Sequence, residues 1–358
     1  MSIRPISSPG ASERRAVTMK DVADAAGVAQ STVSRILNGV PERIPISDET
    51  RERVQAIATR LDYRPHPFAR ALRGAPTMLL GAVVRDITDA FFASAIAALT
   101  AAARDRGYAL VLGDARAKAA EALALTAVLE ERQCDAIVLV GDLRDEPRLV
   151  DDLRGARIPV VALWHGSERR GRPFPTVGVD NRAGVRAAMD HLTSIGHRCI
   201  AFVGTDALGD MQERLSAYKE YCALTGVAPD KAYVRLVANR VSSGERALTA
   251  LWALSPRPTA IVAANDTLAF GLVHAAFEHN IAVPDDLSIV GFDDIPLAAA
   301  AVPGLTTLRM PTADIVAAGV DLATGTTDWP RDLQDQTPTV FQPKLIVRRS
   351  TAAVAPTV

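Results

Sequence analysis

Gln30, Ser31, Ser34 and Arg35 lie close together near the start of the chain, in the stretch DVADAAGVAQSTVSRILNG (residues 21–39). On a helix they share one face, and an ordinary solvated helix would carry Glu and Lys there. Their amide, hydroxyls and guanidinium can bond base edges and phosphates in a major groove. The elements that must position this face are two very short helices joined by a tight turn, a helix-turn-helix. Ala23 is small enough for the close crossing, and Gly27 can supply the positive φ that the turn needs. Val28, Val33, Ile36 and Leu37 fall on one apolar face. Thr18 and Asp21 are spaced to cap the first helix, and Asn38-Gly39 can end the second. Ser47, Asp48 and Glu49 open a third helix with the apolar stripe Val54, Ile57, Ala58 and Leu61. RPHPFARALRG (residues 64–74) reads as a short fourth, bounded by Pro67, Gly74 and Pro76.

The charge distribution agrees with this face. The first 74 residues hold twelve Lys or Arg against eight acids, and the rest hold 28 against 33. A basic head on an acidic body fits a head that binds a polyanion. The full chain has 358 residues, suited to two or three domains, and at 48% hydrophobic it can bury a large core. No run of apolar residues is long enough to span a membrane. Residues 1–16 read as a disordered arm without a secretory signal, so the expected compartment is the cytoplasm. Cys134, Cys199 and Cys222 are scattered in or beside apolar segments, as buried reduced thiols are, and none lies at metal-ligand spacing.

From residue 77 short apolar runs alternate with helical segments. MLLGAVV (78–84), ALVLGD (109–114), DAIVLVG (135–141) and IPVVALW (158–164) form one group. CIAFVG (199–204), YVRLV (233–237), TAIVAAN (259–265) and LSIVGFD (287–293) form another. Continuous apolar runs joined by helices imply parallel strands covered on both faces. Two groups of four predict two doubly wound α/β subdomains, with ligand residues at the carboxyl ends of the strands around a shared cleft. The residues to watch are Asp86 to Phe92, Trp164 and His165, Asn265 and Asp266, and Asp293 and Asp294. Enzyme signatures for phosphate loops, zinc sites and serine nucleophiles are missing. His191 and His197, flanking Leu192 and its helix end, have no metal or acid–base partner in the sequence and read as structural polar residues. No cofactor and no catalytic residue is expected.

The chain resembles the lactose-repressor (LacI) family of bacterial transcription regulators from about Val17 to Thr351. VTMKDVADAAGVAQSTVSRILNG is similar to that family's DNA-binding head and RPHPFARALRG to its hinge helix. GAVVRDITDAFFASAI, VGVDNRAGVRAAMDHL, GHRCIAFVG, ERLSAYKEY, ANDTLAFG, VPDDLSIVGFDD, LTTLRMP and PKLIVRRST are similar to successive parts of its effector-binding core. The resemblance implies a helix-turn-helix head (residues 17–64), a hinge helix (65–76) and a periplasmic-binding-protein-like core (77–351), with a tail at 352–358. It gives the first subdomain residues 77–178 and 306–325, and the second 179–305 and 326–351. It implies a homodimer on a near-palindromic operator, controlled by a small sugar-like effector. Gln30, Ser31 and Arg35 fall at base-reading positions. Thr18, Thr32, Ser34, Asn38 and Tyr63 fall at backbone-contacting or head-stabilising positions, and Leu72 at the minor-groove wedge. Phe91, Phe92, Trp164, His165, Arg214, Asn265 and Asp293 fall at effector positions, while Asp266 braces a loop. Ala29 stands where a capping serine is common, so the second helix is expected to start at Gln30 or Ser31. The tail has no heptads for a tetramerising helix.

The expected function is therefore a ligand-responsive repressor of carbohydrate genes, acting in the cytoplasm at the nucleoid. The alternatives are a co-repressed or activating regulator with a nucleoside or sugar acid as effector, or a sugar-binding protein without a DNA role. A sugar-processing enzyme is disfavoured by the missing catalytic constellation.

Overall fold

A computed structural model describes residues 17–38, 45–63, 76–142, 153, 155–164, 174–227, 231–325 and 338–354. The chain divides into two compact units, Met1–Thr77 and Met78–Val358.

The first unit contains α1 (Met19–Ala26), α2 (Gln30–Asn38) and α3 (Asp48–Arg60). Thr18 and Asp21 form a reciprocal capping box at the start of α1. Gly27 ends that helix with φ +65°, a value that L side chains rarely adopt. α2 begins at Gln30, and the Ala29 carbonyl accepts from the amides of Thr32 and Val33. Ser47 caps α3 by accepting from the Thr50 amide. The three helices bury Val22, Ala23, Ala26, Val33, Ile36, Val54, Ile57 and Ala58 together. Val28 and Leu37 pack at the margin of that core.

The second unit holds two six-stranded sheets. Its elements, in order, are β1 (Leu79–Val84), α4 (Ala90–Asp105), β2 (Ala109–Asp114), α5 (Ala119–Glu131), β3 (Ala136–Val140), β4 (Val160–Leu163), β5 (Thr176–Val179), α6 (Asn181–Ser194), β6 (Ile200–Gly204) and α7 (Gly209–Thr225). There follow β7 (Val234–Leu236), α8 (Val241–Trp252), β8 (Ala260–Ala263), α9 (Asp266–Glu278), β9 (Ser288–Asp293), α10 (Pro296–Ala300), β10 (Thr306–Arg309), α11 (Thr312–Thr324), β11 (Thr339–Phe341) and β12 (Lys344–Ile346). The first sheet has the order β11-β5-β4-β3-β1-β2 and is parallel throughout. The second has the order β12-β10-β9-β8-β6-β7 and is parallel except for β12 against β10. Central strands such as β3, β4, β6 and β8 are buried along their whole length, as parallel strands between two helical layers must be.

Three crossings join the halves, and they change the expected subdomain limits. β10 (Thr306–Arg309) belongs to the second sheet and β11 (Thr339–Phe341) to the first, the reverse of the assignment made from resemblance. Only α11, between them, packs on the first half, against α4 and β4. β5, β10, β11 and β12 also raise each sheet from four strands to six. These four, TVGV, TTLR, TVF and KLI, carry Thr, Gly, Arg or Lys where a continuous apolar run would be needed to stand out.

His191 and His197 tie the end of the chain to the second sheet. His191 Nε2 lies 3.0 Å from Thr351 Oγ1, and the buried His197 bonds the hydroxyls of Thr259 and Ser288 and the Ala352 carbonyl. The three cysteines are free thiols, Cys134 buried and the others half-buried, and burial pushes all three thiols up. Among the described residues no helix is long and apolar enough to cross a membrane. The capping box gives a direct test of the first unit. Thr18→Ala removes both the side-chain cap and the anchor for Asp21, and should lower the unit's unfolding free energy by about 1 kcal/mol in chemical denaturation.

Candidate functional site

On α2 the apolar residues Val33 and Ile36 turn into the three-helix core, which leaves the polar face outward. Gln30 and Ser31 are exposed; Thr32, Ser34 and Arg35 are half-exposed. The Thr18 hydroxyl is engaged with Asp21 at the start of α1. Tyr63 packs at the margin of the head core. The side chain of Asn38, and all of Leu72 and His165, lie outside the described residues.

In the second unit the carboxyl ends of both sheets meet around one cavity. Phe91 and Phe92 enter from the first turns of α4, and Trp164 follows β4. Phe91 meets both Phe92 and Trp164 edge to face, with centroids 5.2 Å apart in each pair. Trp164 has φ +55°, an unusual conformation for a bulky residue that costs on the order of 1–3 kcal/mol. Its indole is buried, and among the described residues Nε1 has no hydrogen-bond partner.

Arg214, one turn into α7, is 2% exposed. Its Nε donates to Asn181 Oδ1 at 2.8 Å and its Nη1 to the Ala264 carbonyl at 2.6 Å. Its guanidinium sits 3.7 Å over the Phe292 ring. Asp210 and Asp293 lie 3.7 and 3.6 Å from it. Burial pushes the Asp293 carboxyl well up; Arg214 opposes the shift, while Asp266, Asp89 and Asp210 add to it. Asp293 and Asp294 both have positive φ, and Asp294 is fixed there by Arg309 and Arg348 at 2.6 and 2.7 Å. Asn265 lines the cavity, but its Oδ1 caps α9 at the Leu268 amide and its Nδ2 donates to Asn239. Asp266 accepts from the Ile295 amide and the Thr307 hydroxyl, so it braces the loop after β9, as its sequence position suggests.

The structure adds residues that the sequence reading passed over. Arg85, directly after β1, reaches across to Asp210 of α7 at 3.6 Å and back to Asp89 at 3.6 Å. Asn239 of the second half donates to Asp89 of the first at 3.0 Å. Asn181, after β5, joins Arg214 to Glu213. Their sequence signals are faint: Arg85 sits one residue before the Asp86–Phe92 stretch, and TVGV of β5 is too broken by Thr and Gly to mark a strand. Asp210 and Arg214, four apart on a helix, were a readable pair. With these contacts made, the cavity has a volume of about 20 Å³, enough for one water and far too small for a sugar ring.

Comparison with known proteins places both sites in one family. Residues 18–66 match the family described as bacterial regulatory proteins, lacI family, and residues 189–351 match a periplasmic binding protein-like domain. The HTH-type transcriptional regulator GalS of Salmonella typhimurium is 30% identical over 308 residues, covering 86% of this chain and 89% of that protein. GalR of Escherichia coli is 30% identical over 338 residues, covering 93% and 95%. The chain belongs to the lacI family. Its fold matches the lac repressor dimer bound to operator and an anti-inducer (TM-score 0.82, 24% identity, 95% of this chain and 100% of that one). It also matches the regulator CelR in complex with cellobiose (TM-score 0.66, 27% identity, 93% and 99%). As a lacI-family member it is a ligand-responsive, DNA-binding transcriptional regulator, and the family's members are regulators, not enzymes.

Asp266 yields a pH prediction. Burial, against the pull of Thr307 and Ile295 hydrogen bonds, pushes its carboxyl up to about 7 from an ordinary 3.8. A carboxyl raised on folding stabilises fully below its unfolded value and loses that contribution as pH rises through its folded value. Asp266→Asn stays neutral throughout. Its stability relative to the native chain should therefore improve as pH rises from 5 to 8, read from urea midpoints. A constant difference across that range would contradict the shift.

Proposed function

We propose that this regulator is a repressor of carbohydrate-uptake or catabolic genes, acting in the cytoplasm at the nucleoid. It binds a near-palindromic operator as a homodimer and releases it when a sugar-like molecule enters the cleft. The observation that carries the reading is the cleft itself: an aromatic wall of Phe91, Phe92 and Trp164 faces a buried Arg214–Asp293 pair. An arginine and an aspartate can grip adjacent hydroxyls as donor and acceptor while aromatic faces cover the apolar side of a ring. The cellobiose complex of a 27% identical regulator supports a sugar as the class of ligand. A homodimer is supported by the edge strand β2, where Val111 and Leu112 are exposed, and by exposed Val128 on neighbouring α5. In this reading Gln30, Ser31 and Arg35 contact bases. Thr18, Thr32, Ser34, Asn38 and Tyr63 contact the backbone or steady the head. Leu72 wedges into the minor groove, and His165 joins Trp164 at the ligand.

Arg35 separates sequence reading from simple charge. Its forked donors suit guanine, a contact worth about 1–3 kcal/mol of discrimination. Arg35→Ala should weaken operator binding by one to two orders of magnitude, about the fold-change that this energy implies, and random-sequence binding far less. Equal losses on both in gel-shift titrations would make Arg35 a phosphate contact only.

Trp164 tests the cleft. Trp164→Ala should leave operator affinity in place and raise the concentration of the releasing sugar at least about tenfold, as expected when a large aromatic contact is lost. Unchanged release at the same sugar concentration would remove Trp164 from the ligand site.

A further inference from the structure

The charge class of the ligand is written into the cleft, given that the cleft is the site of a sugar-like ligand. Asp210 stands between the two buried arginines that an anionic ligand would need. Its Oδ1 lies 3.6 Å from Arg85 Nη1 and its Oδ2 3.7 Å from Arg214 Nη2. A ligand carboxylate or phosphate would want that seat, bridging two guanidinium groups. Here the chain's own carboxylate fills it.

The surrounding charges act in the same direction. Asp293 lines the cavity beside Arg214, and Asp89 pairs with Arg85. Asp142 comes so close to the start of α7 that a Cβ on Gly209 would lie 1.8 Å from its Oδ2. Three carboxylates, Asp210, Asp293 and Asp89, thus stand beside two guanidinium groups, with Asp142 at the start of α7. Arg214 is further engaged by Asn181, the Ala264 carbonyl and the Phe292 ring, and Arg85 lies 4.8 Å over the Phe92 ring. A ligand anion would have to compete with Asp210, Asp293 and Asp89 for the two guanidinium groups.

Hydrogen-bonding capacity points the same way. Two buried polar atoms of the cavity lining lack a hydrogen-bond partner among the described residues: Trp164 Nε1, a donor, and Asp210 Oδ1, an acceptor. Hydroxyl groups both donate and accept, so a polyol satisfies both atoms. A carboxylate or fully ionised phosphate group only accepts, so that group seated against Asp210 Oδ1 would leave it unsatisfied.

We propose that the cleft takes a polyhydroxylated ligand without negative charge, and that Asp210 is the specificity-determining residue that excludes sugar acids and sugar phosphates.

The test uses the purified full chain and matched probe sets: glucose, glucuronate and glucose 6-phosphate; galactose, galacturonate and galactose 6-phosphate; ribose and ribose 5-phosphate; cellobiose and cellobionate. Binding is measured by calorimetry, with thermal shift as a second readout. In any set that binds, the parent sugar should be at least about tenfold tighter than its anionic members, and Asp210→Asn should narrow or invert that ratio by freeing the two guanidinium groups. Asp210→Ser provides a second uncharged variant, and circular dichroism checks that both fold. An anionic member that binds the native chain as well as its parent would overturn the charge class while leaving a sugar-type ligand standing. The same ratio in folded Asp210 variants would overturn the role of Asp210. Failure of every set, parents included, would remove the sugar reading of the cleft and this inference with it.

Discussion

A full positive charge buried at 2% exposure is the constraint around which the second unit is arranged. Arg214 cannot lose its proton, so the chain must surround it with acceptors or leave a large desolvation cost standing. The acceptors come from four separate places: the carbonyl after β8, the carboxylate ending β9, Asp210 one turn earlier on α7, and Asn181 at the start of α6. Asn181 is the informative one. It lies where the chain first leaves the first sheet for the second half, and its amide passes on to Glu213 of α7. One guanidinium therefore joins the ligand cleft to a crossing point between the halves. Asp293, aimed at Arg214 from positive φ, depends on the turn that Arg309 and Arg348 hold through Asp294.

That arrangement explains what could be read from the sequence. The central strands announced themselves because parallel strands buried on both faces are continuous apolar runs, as in AIVLV of β3 and AIVA of β8. The head was legible because helix caps and a turn glycine are local features, and Thr18, Gly27 and Ser47 each act within four residues of themselves. The cavity-lining side chains after strands, Phe91, Phe92, Trp164 and Asp293, lie where the rule about carboxyl ends looks for them. What stayed hidden was decided at long range. Arg85 meets Asp210 across 125 positions, a pairing that no local pattern signals. The exchange of β10 and β11 between sheets depends on pairing partners, Asp293 for Arg309 and Val177 for Thr339, that short strands do not reveal. Asn265 was readable as a site residue by position, yet its amide is already spent on a helix cap and on Asn239.

The contacts across the cleft differ in kind from those within each half. Arg85 and Asp210 face each other at 3.6 Å, beyond hydrogen-bond distance, the Asn239 amide donates to Asp89 at 3.0 Å, and Asp142 abuts Gly209. Within the second half, Arg214, Asp266 and Ser350 make bonds of 2.6 to 2.8 Å to buried partners. Separation of the halves therefore breaks loose ion pairs, while distortion of either half breaks tight hydrogen bonds and uncovers apolar strands. The seam is the soft direction of the unit. The three crossings near Asn181, Met310 and Gln342 are where backbone rotation can accommodate it.

A cavity of about 20 Å³ then sets a thermodynamic condition on control. A sugar ring enters only after the seam parts, so the binding-competent form is a separated one, and its population divides the apparent affinity. The ligand also has to replace what it displaces: a partner for Arg85, one for Asp210, and the contact between Asp89 and Asn239. Hydroxyl groups at those three places would let the halves close again over the ring with a different spacing. A ligand that met only one half equally well in both forms would bind and shift nothing. A ligand that shifts this equilibrium must touch residues from both sheets at once, and the cavity lining offers Trp164 on the first half and Arg214 on the second.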